Sequence, residues 1–135
     1  MTARISSHKL LASGLVALAV CAAALLAILA SGQSADAKAS RSATLSAASN
    51  GALKFNKKTV VVSRGKVTLK LVNPSSAGIT HAIGIDGHGV DKESRDAAAG
   101  STVRVSARLK KGKYVFYCPI GAHREAGMKG TLIVK

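Results

Sequence analysis

Three side chains near the C-terminus have the types and spacing for metal chemistry. In the run Tyr117-Cys118-Pro119-Ile120-Gly121-Ala122-His123-Arg124-Glu125-Ala126-Gly127-Met128, a thiol, an imidazole and a thioether stand in a Cys-x4-His-x4-Met pattern. Soft sulfur combined with imidazole is a donor set suited to copper. Donors five residues apart on one loop can fold back toward a single point, but a fourth must come from elsewhere. His81 is the candidate: it follows the loop Asn73-Pro74-Ser75-Ser76 and begins a strand on the face of Ile83 and Ile85. His81, Cys118 and His123 would then form a plane, with Met128 as a weak axial donor.

Each residue has a plainer reading. A buried Cys is most often a small apolar core residue, and Met often fills core gaps. His81 could be an ordinary satisfied histidine. His88, in the turn-like Asp86-Gly87-His88-Gly89, is its rival and reads better as a solvated loop residue. Against the plain reading of Cys118, a single thiol in an exported folded unit is an oxidation hazard, which metal ligation removes. A Cys-His nucleophile lacks an orienting third residue and leaves Met128 without a role.

The elements that must position these residues read as all-β. Val67, Leu69 and Leu71 alternate with polar residues, as do Val103 and Val105; Val60–Val62 is a short apolar run. Tyr114, Phe116 and Cys118 share one face, while Val115 and Tyr117 share the other, outward one. Thr131–Val134 is a last β-rich run. The polar stretch 91–99 reads as a short helix. Short strands separated by turns suggest a β-sandwich.

The chain has 135 residues, with 20 Lys+Arg against 6 Asp+Glu and two Cys. This length suits one domain and excludes large barrels and two-domain enzymes. Arg4, His8 and Lys9 precede an apolar run over 10–30, 21 residues long. Such a run is long enough to cross a bilayer as a helix, while Ala35-Asp36-Ala37 resembles a signal cleavage site. Residues 1–37 are therefore expected to be a signal peptide or membrane anchor, 38–50 a flexible linker and 51–135 the folded domain. Either N-terminal reading places 38–135 outside the cytoplasm, secreted, periplasmic or anchored facing outward. That portion carries 18 Lys+Arg and 5 Asp+Glu, a balance suited to acidic partners or an anionic membrane surface. Nucleic acid is disfavoured by export and by the scarcity of stacking aromatics.

The stretch from Gly112 to Val134, GKYVFYCPIGAHREAGMKGTLIV, resembles the C-terminal signature of the cupredoxins, the plastocyanin-like small blue copper proteins. Its ligand spacing is similar to the auracyanin and sulfocyanin branch. The resemblance implies a Greek-key β-sandwich and one Cu(I)/Cu(II) ion with His81, Cys118 and His123 equatorial and Met128 axial. It also implies single-electron transfer with redox partner proteins, and neither an enzyme activity nor a small-molecule substrate. Electrons would pass through the exposed edge of His123, with Tyr117 as a second route; Phe116, Ile83 and Val105 would form a dry shell. Many family members have Asn directly after the first His; here Ala82 stands there, which bears on the rigidity of the ligand loop. The alternative expectation is a copper carrier or sequestering protein without an electron-transfer role.

Overall fold

The computed structural model describes residues 40–135. Alternation of apolar and polar residues builds two sheets, each with one apolar face. Strands β1 (Ser42–Ser46), β3 (Gly65–Val72) and β6 (Thr102–Leu109) form one, in the order β1-β3-β6. Strands β2 (Thr59–Val62), β4 (Gly84–Gly87), β5 (Val90–Glu93), β7 (Gly112–Tyr117) and β8 (Lys129–Val134) form the other, in the order β2-β8-β7-β4-β5. The β1-β3 and β2-β8 pairs are parallel and the others antiparallel.

The period of two decides which side chains meet between the sheets. Leu45, Val67, Leu69, Leu71, Val103, Val105, Ala107 and Leu109 come from the first sheet; Val60, Val62, Ile85, Tyr114, Phe116, Leu132 and Val134 come from the second. Phe55, from the β1–β2 connection, packs its ring at 5.6 Å from Phe116. The fold is thus the all-β sandwich expected from the strand pattern. Among the described residues no helix is long and apolar enough to cross a membrane. The expected N-terminal helix and its cleavage site lie outside the described residues.

Two local expectations are corrected. Residues 42–46 are not linker: they form β1, with Leu45 fully buried and paired in register with Leu71 of β3. Residues 42–46 therefore belong to the folded unit, ahead of its expected start at 51. Residues 91–99 do not form a helix. Val90–Glu93 is β5, an edge strand against β4, and Ala97 forms an isolated bridge with His81. Sheet pairing outweighs the helix propensity of the alanines there.

Candidate metal centre

The β7–β8 connection explains two of the candidate donors. Tyr117 and Lys129 are the last in-register pair of the antiparallel ladder. Cys118 and Met128, one residue further along, therefore face each other, and the Cys118 N–H donates to the Met128 carbonyl at 3.0 Å. The residues between them wind into consecutive tight turns. His123 N–H donates to Ile120 O, Ala126 N–H to Ala122 O, and Met128 N–H to His123 O, at 2.9–3.0 Å. Those bonds return His123 over Cys118.

His81 arrives from the other side. It is a one-residue bridge before β4, not the start of that strand, and it exchanges both backbone hydrogen bonds with Ala97, at 3.0 and 2.7 Å. Nδ1 of His123 lies 3.4 Å and Nδ1 of His81 3.9 Å from Cys118 Sγ. One donor atom from each of the three lies within 4.8 Å of the other two. The centre of a triangle that size is within about 2.8 Å of every corner, close to the reach of metal–nitrogen and metal–sulfur bonds, about 2.0–2.3 Å. Two imidazole nitrogens close to one buried free thiol fit a metal, and sulfur with imidazole suits copper. Met128 is fully buried in the same apolar cluster as Cys118, with Phe116, Ile83 and Val105.

The surroundings prepare these donors. Burial lowers the pKa of His81 from its ordinary value, and the neighbouring His123 charge lowers it further. A lowered pKa favours the neutral imidazole, the form a ligand requires. Burial raises the Cys118 pKa; backbone N–H groups of Ala82 and Ile120 act in the opposite sense. The Ala82 N–H points at Sγ at 3.4 Å, a backbone bond for which any side chain suffices. His81 Nε2 has no hydrogen-bond partner among the described residues, so packing and the Ala97 bridge hold its ring.

Asn73 was invisible as a site residue in the sequence. It is 1% exposed, and its Nδ2 donates to Ile79 O at 2.8 Å and Ala97 O at 2.9 Å. It therefore ties together the two segments that hold His81. Arg124 pins the other loop: it pairs with Asp86 of β4 at 2.7 Å and lies 4.1 Å over the Tyr117 ring. Tyr117 is consequently buried on its outward face, and its hydroxyl lies within hydrogen-bond distance of Asp91 and Glu93. Burial and those two carboxylates push its pKa up. His88 is exposed and bonded to Lys113 O, outside the trio.

Residues 20–134 match the family model of the cupredoxin-like domain. The chain belongs to the cupredoxin-like family. Its fold is similar to that of auracyanin B at 23% identity, with 70% of this chain and 88% of that one covered and a TM-score of 0.60. It is also similar to the dithionite-reduced auracyanin of Roseiflexus castenholzii, at 22% identity, 72% and 98% coverage and a TM-score of 0.61. A third similar structure, auracyanin A of Chloroflexus aurantiacus, described as a "blue" copper protein, has 19% identity, 70% and 98% coverage and a TM-score of 0.58. No curated protein matches the sequence significantly. Family and donor set together make copper the metal of this cupredoxin and fit a blue copper electron carrier.

Proposed function

We propose that this cupredoxin carries single electrons between redox partners outside the cytoplasm, with His81, Cys118 and His123 as equatorial ligands and Met128 as the axial one. The convergence of both Nδ1 atoms on the buried Cys118 sulfur carries this reading. Copper, when bound, supplies a one-electron couple, which thiolate and thioether bias toward Cu(I). The protein's own residues supply the rest. Backbone turns and the Ala97 bridge hold the donors so that little has to move on electron exchange. The apolar shell of Phe116, Ile83 and Val105 excludes water. His123 is half-buried, and half-buried Pro119 and Ile120 with exposed Ala122 in the same loop offer a small apolar patch for a partner.

Tyr117 is less suited as an exit than its outward position suggests, because Arg124 covers its ring. The N-terminal apolar run supports placement outside the cytoplasm, with the segment either removed or kept as an anchor. Voltammetry of the copper-loaded protein tests the carrier role. Reversible one-electron exchange, together with rapid turnover against a soluble redox protein, supports it. Sluggish exchange combined with fast copper handover to an apo-acceptor would instead mark a copper delivery protein.

A further inference from the structure

The outer face of the three-stranded sheet is built almost entirely from cations and hydroxyls. Along β3 it presents Lys66, Thr68 and Lys70; along β6 it presents Arg104, Ser106 and Arg108. The register sets Lys66 directly opposite Arg108 and Lys70 directly opposite Arg104. Like charges directly opposite one another destabilise a sheet, and solubility alone is served by mixed signs. No acid stands on β1, β3 or β6. Asp86, Asp91 and Glu93 all stand on β4 and β5 of the other sheet, where Asp86 is engaged by Arg124 and the other two by Tyr117. None of the four cations forms an ion pair among the described residues. Between them, Thr68 and Ser106 hydroxyls meet at 2.8 Å.

The chain's own route points to the counter-surface. β1, where the described chain begins, is the edge strand of this same sheet. The apolar run over 10–30 ends ten residues before Ser40, a span of at most about 36 Å even if fully extended. We infer that this basic sheet face docks on an anionic lipid surface, with phosphate headgroups as the counter-charges of Lys66, Lys70, Arg104 and Arg108. Asn73, the residue after β3, bonds Ala97 O, which also accepts from the His81 N–H, so the trio stands at the Val72 and Thr102 end of this sheet and not on its outer face; docking through that face leaves His123 to a partner.

Lysine acylation read by mass spectrometry tests this on the full chain, and it does not depend on metal occupancy. The chain is mixed with vesicles of phosphatidylcholine alone or with about one-third phosphatidylglycerol. Lys66 and Lys70 are expected to react about threefold or more slowly on the anionic vesicles, on the scale of a few-fold per cation. Lys92 on β5 should be unchanged, and 1 M salt should abolish the difference. Arg104→Thr/Arg108→Thr, which leaves both lysines in place, should weaken their protection. Equal labelling on both vesicles, or equal protection of Lys92, would overturn the inference. Protection by soluble polyglutamate but not by anionic vesicles would overturn it in favour of an acidic polypeptide.

Discussion

Replacing Asn73 tests whether the His81 side of the site is braced from a distance. In Asn73→Ala, two hydrogen bonds of 2.8 and 2.9 Å disappear. Ala97 O keeps its bond from the His81 N–H, whereas Ile79 O loses the one hydrogen bond it receives from the described residues. Two bonds at about 1 kcal/mol each, plus about 1 kcal/mol for an acceptor left unsatisfied, give about 3 kcal/mol. Asn73 Oδ1 is itself buried without a partner, and deleting it returns about 1 kcal/mol. The net loss is about 2 kcal/mol, or about 8–16 °C in Tm for a domain of this size. Asn73→Asp should be worse, because both donors become acceptors facing carbonyl oxygens. The assay is thermal melting of the metal-free protein by circular dichroism, repeated with copper. Copper should recover part of the loss, since it binds only the folded chain. A Tm within about 3 °C of wild type for both variants would refute the bracing role.

Gly130→Ala places a methyl group against the Phe116 ring and 2.6 Å from Lys58 O; a loss of about 2 kcal/mol or more is expected in urea unfolding. Arg124→Ala removes a partly exposed ion pair and a ring contact, and should cost only about 1 kcal/mol while exposing Tyr117 to nitration. In the metal-free protein, the lowered His81 pKa means that the unfolded chain takes up a proton the folded one refuses, so stability should fall as pH drops below about 6.5. The raised Cys118 pKa means that the folded chain keeps a proton the unfolded one has lost, so stability should also fall as pH rises above about 9.0. A Tm that keeps rising outside that window would contradict both shifts.

Much of the site was legible because it is local. The Cys-x4-His-x4-Met run contains the β7–β8 connection, and one antiparallel ladder brings its two ends together. Alternation likewise identified the buried faces of β3, β6 and β7. What stayed hidden depends on distant segments. β1 offers a single large apolar residue, Leu45, and its parallel pairing with β3 spans more than twenty residues, so its sequence reads as spacer. Tyr117 does face outward as the period of two requires, yet Asp91, Glu93 and Arg124 converge to bury it. Asn73 sits in an Asn-Pro-Ser-Ser loop that looks like any turn. Only the closed fold shows that its amide spans Ile79 and Ala97.

Copper K-edge X-ray absorption of the protein loaded with one equivalent of copper examines the ligand set most directly. One sulfur at thiolate distance and two imidazole nitrogens are expected, with the sulfur contribution lost in Cys118→Ser and one imidazole lost in His81→Ala. A spectrum fitted by nitrogen and oxygen donors alone, or a sulfur signal that survives Cys118→Ser unchanged, would contradict the assignment.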